Sequence, residues 1–454
     1  MKELSFPVGP DKTGFNLPDE TDILTMPHPK TLPNPDAAVF KALNEPIGTH
    51  RIERIVADKA AASELPPAEL TACIVISDIT RPVPYTGKAG ILWPIAEKLI
   101  NIGIKPSKIL VLVATGTHRE QSIEELHRML DVRVFEAGIQ VKNHDSRDIK
   151  NLINLGKTSR GSDIIINSSY MNADIKILTG LVESHFMAGV SGGRKSICPG
   201  LIGEESTYIF HGASMLANAK ARALKLEGNP CHEESLEMAL AAGADYIVNV
   251  TLDGKFNLTG VFAGDLEKAH LAAADHLKSY TAIPVSRKYD IVVTHAGFVG
   301  INHYQAAKAG VEAARVVRDG GYILMGADNT DDEAIGGSSY PAALQLLKII
   351  GQGAFDQLIL SPDWPFLIDQ WQVQMWSRMF RIIPQDHFYY YSPQFSREDY
   401  RICPGEPLTE LSGQKNLSIP EQLTFAVDAL QKKLGRVVSI CWMADGPYGV
   451  PDYL

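Results

Sequence analysis

A lysine at the end of a glycine-rich loop is the first residue of this chain with an evident chemical use. The stretch GVSGGRKS (Gly189–Ser196) is similar to a phosphate-binding loop, in which a glycine and four further residues precede Gly-Lys-Ser or Gly-Lys-Thr. Counted from Gly189, Arg194 stands where the second glycine is required. The spacing therefore argues against a nucleotide-hydrolysing loop and leaves Lys195 to be explained by another task.

Other polar and ionisable side chains follow short apolar segments of the chain. Histidine can exchange protons near neutral pH, and arginine can hold a carboxylate with two hydrogen bonds. Because ligands collect at the carboxyl ends of parallel strands, we expect these side chains to share a cleft. They are Asp78, Arg81, His118, Glu183, His185, Arg194, Lys195, Tyr304, Gln305 and Lys308.

Taken alone, each of these residues also has a structural interpretation. Asp78 could cap the turn before Pro82, Arg81 could be a surface cation, and a single histidine such as His118 could serve packing.

The same holds for the two other groups of candidates. Tyr304 and Lys308 lie four residues apart and share a helix face, which could be a solvated edge. Gly192 and Gly193 could form an ordinary turn, although two glycines beside two cations suit close approach of the backbone to an anion.

Short apolar strands alternate with helical segments in the part of the chain that carries these residues. The predicted strands are Thr71–Ser77, Lys108–Ala114, Asp163–Asn167 and Ile175–Gly180, with a helical pattern between the first two. This order predicts an α/β fold with mostly parallel sheets. After Pro284 the pattern restarts as the strand YDIVVTHA, the helix NHYQAAKAGVEAARVV and the strand GGYILMGA.

We therefore predict two domains, residues 1–283 and residues 284–454, each with a mostly parallel sheet. The end of the chain, GRVVSICWMADGPYGVP, has the pattern of one more strand and a turn-rich tail. The segment from about residue 437 onward could pack back on the N-terminal domain.

Composition restricts the class of protein further. The chain of 454 residues has a net charge of −10, which argues against nonspecific binding of nucleic acid or anionic membranes. The N-terminus lacks the apolar core of a signal peptide, no apolar run is long enough to span a membrane, and the five cysteines form no CxxC pair. A cytoplasmic location is the simplest interpretation.

Five segments together resemble the nickel-pincer lactate racemase family. They are DITRP, ATGTHR, ESHFMAGVSGGRKSICPG, IFHG and INHYQAAK, and the resemblance extends from about Ile74 to Lys308 with a weaker match at IDQWQVQ (Ile368–Gln374). The resemblance implies two α/β domains with the active site in the cleft between them. It also implies a racemase or epimerase that inverts C2 of a 2-hydroxy carboxylic acid by proton-coupled hydride transfer.

The resemblance also implies a cofactor and roles for individual residues. A nickel-pincer nucleotide, Ni(II) pyridinium-3-thioamide-5-thiocarboxylic acid mononucleotide, would be linked covalently to Lys195, with His211 completing the nickel coordination. His118 and His185 would be the pair of catalytic bases. The other implied contacts are to the cofactor, from Asp78, Thr115, Gly116, Gly192, Gly193 and Arg194, and to the substrate, from Arg81, Tyr304, Gln305, Lys308 and Trp371.

The substrate and two competing functions stay open at this point. A lactate-like acid and a sugar acid both fit the implied chemistry, and other enzymes would have to synthesise the cofactor. One alternative is an NAD-dependent 2-hydroxyacid dehydrogenase, although no GxGxxG motif follows a predicted strand. The other is a non-catalytic relative that binds nickel or a nucleotide without turnover.

Overall fold

A computed structural model of the chain describes residues 2–8, 11–337 and 339–453. The strands are β1 Lys2–Val8, β2 Asp11–Leu17, β3 Asp22–Leu24, β4 Ala72–Ser77, β5 Ile109–Ala114, β6 Gln140–Asn143, β7 Leu152–Lys157, β8 Asp163–Asn167, β9 Ile175–Leu181, β10 Ser184–His185, β11 Gly189–Val190, β12 Tyr246–Leu252, β13 Leu258–Gly264, β14 Ala282–Val285, β15 Tyr289–His295, β16 Val317–Gly326, β17 Phe388–Tyr391, β18 Glu406–Pro407, β19 Ile440–Met443 and β20 Val450–Tyr453.

The helices connect these strands. They are α1 Pro35–Asn44, α2 Ile52–Ser63, α3 Leu92–Ile102, α4 Ile123–Met129, α5 Val132–Glu136, α6 Ser168–Met171, α7 Glu204–Phe210, α8 Ala213–Ala217, α9 Pro230–Ala242, α10 Lys268–Thr281, α11 His303–Ala313, α12 Tyr340–Ile359, α13 Gln370–Phe380, α14 Arg397–Ile402, α15 Leu408–Ser412 and α16 Ile419–Leu434. In the described ranges no helix is long and apolar enough to cross a lipid bilayer.

The unit His28–Tyr280 is built on a six-stranded sheet of order β13-β12-β9-β4-β5-β6. All neighbours in this sheet are parallel except β12 and β13. The predicted parallel sheet is confirmed, but β8, although it has the predicted bounds, lies outside this sheet. It forms an antiparallel pair with β7, a strand that the sequence pattern did not reveal.

Helix α3 shows how the sequence covers one face of this sheet. Its residues Leu92, Ile95, Ala96 and Leu99 recur at helical spacing and are buried. They belong to the same core cluster as Ile74 of β4 and as Ile109, Val111 and Val113 of β5. This packing holds β4 and β5 in place, and the candidate site begins at their carboxyl ends.

The unit formed by Met1–Pro27 and Thr281–Leu454 has its own six-stranded sheet. The order is β18-β17-β16-β15-β19-β3, and every neighbouring pair is parallel. Strands β15 and β16 flank α11 in the chain, as the strand–helix–strand pattern predicts.

The two units differ from the predicted domains in two respects, since the second part of the C-terminal unit begins at Thr281 rather than at residue 284 and this unit also includes the start of the chain. The first 27 residues group with the C-terminal part because β3 pairs in parallel with β19, Asp22 opposite Cys441. The end of the chain lies in this same unit, since β20 pairs with β14. A three-residue strand such as β3 has too little periodicity to reveal its partner from sequence.

Candidate active site

Three neighbouring strands of the unit His28–Tyr280, called the central unit below, end in the segments that carry the candidate residues. Strands β9, β4 and β5 lie side by side and run in parallel, so their carboxyl ends meet at one edge of the sheet. Asp78 and Arg81 follow β4, His118 follows β5, and Glu183 with His185 follows β9. The sheet topology thus brings together residues that are up to about a hundred positions apart in the chain.

Asp78 and His118 form a hydrogen-bonded pair across β4 and β5. The Nδ1 atom of His118 lies 2.6 Å from Oδ2 of Asp78, and Thr80 donates from its hydroxyl to the other carboxylate oxygen at 2.6 Å. Burial opposes ionisation of Asp78, but the hydrogen bonds from His118 and Thr80, with Arg81 nearby, outweigh it and lower the carboxyl pKa. An ionised Asp78 accepts a hydrogen bond from Nδ1–H of His118, and in that tautomer Nε2 is the proton acceptor.

Arg81 and Glu183 join the ends of β4 and β9. Nη1 of Arg81 donates to Oε1 of Glu183 at 2.7 Å, and both side chains keep about a third of their surface exposed. Arg81 is therefore a cation at the edge of the site, already paired with a carboxylate of the chain.

His185 has the opposite hydrogen-bond pattern from His118. Its Nδ1 atom accepts from the backbone N–H groups of Met187 and Ala188 at 3.3 Å and 3.2 Å. A neutral ring in this position must carry its proton on Nε2. That atom lies 3.5 Å from Nζ of Lys195, so the contact suits a neutral amine that accepts the proton of Nε2–H.

Lys195 is half-buried, and its amine has a lowered pKa. Its burial, together with the neighbouring cations Arg194 and Arg81, lowers the pKa of the amine to about 7. The Nζ atom lies 5.3 Å from the centre of the Phe210 ring. An amine that is substantially neutral at physiological pH is a competent nucleophile.

His211 follows directly after α7 and is kept uncharged. Its burial, together with nearby Lys195 and His118, lowers the pKa of the imidazole to about 3. Metal ions bind the neutral form of imidazole, so His211 has the protonation state of a ligand. The Phe210 ring contacts both Lys195 and His211, and its centre lies 4.5 Å from that of the His211 ring.

The two glycines of the loop are needed for its backbone path. Gly192 and Gly193 have φ angles of 73° and 51°, in the left-handed region that glycine tolerates. A Cβ atom on Gly193 would lie 2.7 Å from the His270 ring. The Gly193 N–H group donates to the side chain of Asn249 at 3.0 Å, which holds the loop on β12.

Arg194 does not point its guanidinium into the candidate site as an open anion-binding group. Its side chain is 1% exposed and donates to the carbonyl oxygens of Ala188 and Gly192 at 2.8 Å and 3.4 Å. Nη1 also lies 2.9 Å from Nε2 of His270. Burial lowers the pKa of this guanidinium to about 9. In this arrangement the side chain braces the loop from inside, and a cofactor contact of Arg194 would have to come from its backbone.

Thr115 and Gly116 likewise make contacts that shape the loop before His118. The Thr115 hydroxyl is buried and donates to the His144 carbonyl oxygen at 2.5 Å. The Gly116 N–H group donates to the carbonyl oxygen of Gly200 at 3.0 Å, which docks this loop on the segment after Lys195.

The remaining predicted substrate residues lie in the other unit, on α11 and α13. Trp371 donates from Nε1 to the Tyr304 hydroxyl at 2.8 Å, so these two predicted residues contact each other. Burial, with Asp369 nearby, raises the pKa of Tyr304. Gln305 and Lys308 are half-buried on the same helix, whose N-terminus is capped by the side chain of Asn302.

Two residues that support the loop were not singled out in the sequence. Asn249 interrupts the apolar strand YIVNVTL and is fully buried, and a polar residue in such a strand is the signal that could have revealed it. His270 lies within α10 and is 2% exposed, and nothing in its local sequence distinguishes it from a residue of an ordinary helix.

Comparisons with known proteins give this arrangement a family. A family model for the lactate racemase N-terminal domain matches residues 8–223. The chain is 32% identical over 343 residues to a lactate racemase of Lactiplantibacillus plantarum, covering 75% of this chain and 76% of that protein. It is 30% identical over 385 residues to a lactate racemase of Thermoanaerobacterium thermosaccharolyticum, covering 84% and 86%.

A solved structure agrees over the whole chain. The lactate racemase apoprotein from Thermoanaerobacterium thermosaccharolyticum matches with a TM-score of 0.84 and 26% sequence identity, covering 99% of this chain and 100% of that chain. The mixed α/β fold with large parallel sheets predicted from sequence is thereby confirmed. By this likeness in sequence and structure, the chain belongs to the lactate racemase family and is an isomerase, a racemase.

Proposed function

We propose that this enzyme interconverts the two configurations at C2 of a small, lactate-like 2-hydroxy carboxylic acid. The observation that carries the proposal is the grouping of two histidines, a carboxylate-paired arginine and a low-pKa lysine at the ends of β4, β5 and β9. The similarity of the chain to two lactate racemases supports lactate as the first substrate to test. A sugar acid is the second candidate.

The residues present fit the nickel-pincer nucleotide that the resemblance implies. Lys195 would hold it covalently, because its amine has a pKa of about 7 and contacts a histidine that can donate to it. His211, a neutral imidazole, would ligate the nickel. Within the described residues no three His, Cys, Asp or Glu side chains cluster as a metal site. An imidazole together with soft sulfur donors of a bound nucleotide would suit nickel. When bound, the nucleotide supplies a hydride acceptor for C2.

The chain's own residues would move the proton and hold the acid. His118 would take the hydroxyl proton of one enantiomer at Nε2, since Asp78 accepts from its Nδ1. His185 would serve the other enantiomer, but only after its ring turns away from the two backbone N–H groups that oppose a proton on Nδ1. Arg81 would bind the substrate carboxylate, and Tyr304, Gln305, Lys308 and Trp371 are proposed as further substrate residues.

The test uses protein produced together with the enzymes that synthesise the cofactor. Each enantiomer of lactate and of a panel of 2-hydroxy acids is supplied separately, and the opposite enantiomer is measured. We expect racemisation of a small 2-hydroxy acid by the wild-type protein and none by the Lys195→Ala variant. Equal activity of that variant, or dehydrogenation with NAD in place of racemisation, would overturn the proposal.

A further inference from the structure

The cation proposed to bind the substrate carboxylate is held by a residue to which neither the sequence nor the family comparison assigned a role. Glu183 accepts from Nη1 of Arg81 at 2.7 Å. The two residues are 102 positions apart and follow different strands, so the contact joins the segment after β4 to the segment after β9. His185, one of the two proposed bases, is only two residues further along the chain.

The backbone of Glu183 is fixed by Ser191, which lies in the glycine-rich loop Gly189–Ser196 (the lysine loop, named for Lys195). The Glu183 N–H group donates to Oγ of Ser191 at 2.9 Å, and the Ser191 N–H group donates back to the Glu183 carbonyl oxygen at 2.9 Å. The Ser191 hydroxyl donates in turn to the Leu181 carbonyl oxygen at 2.7 Å, and Ser191 is buried. The backbone of Glu183 is therefore held in place, and its carboxylate can orient the Arg81 side chain on the neighbouring loop.

The guanidinium of Arg81 has several hydrogen-bond donors, and Glu183 uses only one side of it. The guanidinium offers five N–H groups in a rigid plane, of which the Nη1 contact uses one. A fixed plane presents the remaining donors in one direction, which favours two-point binding of a carboxylate. The negative charge of Glu183 also stands near any bound substrate carboxylate and opposes its binding.

We propose that Glu183 is a positioning residue for Arg81, which sets the direction of the guanidinium and limits the affinity of the site for the substrate carboxylate. The proposal rests on the substrate role proposed above for Arg81. It predicts opposite effects for two substitutions of Glu183, because one removes only the charge and the other removes the hydrogen bond as well.

Glu183→Gln keeps an acceptor for Nη1 and removes the negative charge. We expect the KM for the 2-hydroxy acid to fall by about two- to fivefold, the range for a partly exposed charge pair, with little change in kcat. Glu183→Ala removes the acceptor and releases the guanidinium. We expect its KM to rise by about tenfold, as for the loss of a charge-assisted hydrogen bond, again with little change in kcat.

Binding without turnover gives a second measurement. Oxamate, a small carboxylate that resembles a 2-keto acid, is titrated into the full chain by calorimetry, and its Kd should follow the same order as the KM values. Glu120→Gln is the matched control, since Glu120 is an exposed carboxylate two residues after His118, and the carboxylate that pairs with Arg81 is that of Glu183. Its KM and Kd should equal those of the wild type.

The Arg81→Lys variant separates failure of this inference from failure of the proposed function. If Arg81→Lys leaves KM and the oxamate Kd unchanged, Arg81 does not bind the carboxylate and the proposed substrate role is wrong. If Arg81→Lys raises both values but the two Glu183 variants match the wild type, or both Glu183 variants lower kcat at constant KM, the positioning role is wrong. Glu183→Gln remains a test even if Glu183→Ala fails to fold.

Discussion

The Asp78–His118 pair gives the sharpest prediction about proton transfer. Asp78→Asn keeps the shape of a buried side chain and removes the charge that accepts the hydrogen bond from Nδ1 of His118, whose N···O distance is 2.6 Å. A charge-assisted hydrogen bond is worth about 1.5–3 kcal/mol. Because the His118 side chain is 57% exposed, solvent screening favours the lower end, about 1.5 kcal/mol or about tenfold in rate.

The loss should fall on one enantiomer. Single-turnover reduction of the bound cofactor is measured with each enantiomer separately, starting from protein of known cofactor content. The enantiomer that His118 serves should react about tenfold more slowly in Asp78→Asn, and the other should react at nearly the wild-type rate. The double variant Asp78→Asn/His118→Ala should be no slower than His118→Ala, because Asp78 acts through the histidine.

Two outcomes would refute this reasoning. Wild-type rates for both enantiomers would mean that Asp78 does not set the proton position of His118. Equal losses for both enantiomers, additive with the loss in His118→Ala, would mean that Asp78 supports the cofactor or the fold instead of one base.

Three further predictions concern the lysine loop and the proposed nickel ligand. In the protein without cofactor, the rate at which acetic anhydride acetylates Lys195 should rise about tenfold between pH 6 and pH 8, because it follows the neutral fraction of an amine with a pKa of about 7. If the rate for Lys195 had the same pH dependence as the rate for the exposed Lys255, the lowered pKa of Lys195 would be contradicted. His211→Ala should lower nickel retention in metal analysis while the circular dichroism spectrum stays unchanged, whereas full nickel retention would exclude His211 as a ligand. Gly193→Ala should reduce the free energy of unfolding by more than about 1 kcal/mol, because Gly193 has a φ of 51° and lies close to the His270 ring. The control Gly254→Ala, with open space around its Cβ position, should change the free energy of unfolding by less than about 0.5 kcal/mol. Equal effects of the two substitutions would refute the strain at Gly193.

The grouping of the site residues within the central unit could be predicted from sequence because it depends on topology. Asp78, His118 and His185 each follow an apolar strand, and parallel strands deliver their carboxyl ends to one edge. The order in which β9, β4 and β5 lie side by side then makes the Asp78–His118 contact possible.

Side-chain direction could not be predicted in the same way. Arg194 and Lys195 are adjacent in sequence and both are cations, yet the guanidinium lies inside the loop and the amine faces His185. The 3-10 turn Gly193–Ser196 decides between them, and its path depends on contacts with Asn249 and His270, which are distant in the chain. The pairing of β3 with β19 was hidden for a similar reason, since long-range strand partners leave no local pattern.

Intact mass spectrometry combined with nickel analysis tests the central claim most directly. The wild-type protein and Lys195→Ala are each produced in cells that carry the enzymes of cofactor synthesis, and peptide mapping locates any added mass. The wild type should carry a covalent adduct on Lys195 together with nickel, and Lys195→Ala should carry no adduct and show no racemisation. A wild-type protein that racemises a 2-hydroxy acid with an unmodified Lys195 and without nickel, or that instead holds reversibly bound NAD, would contradict the account.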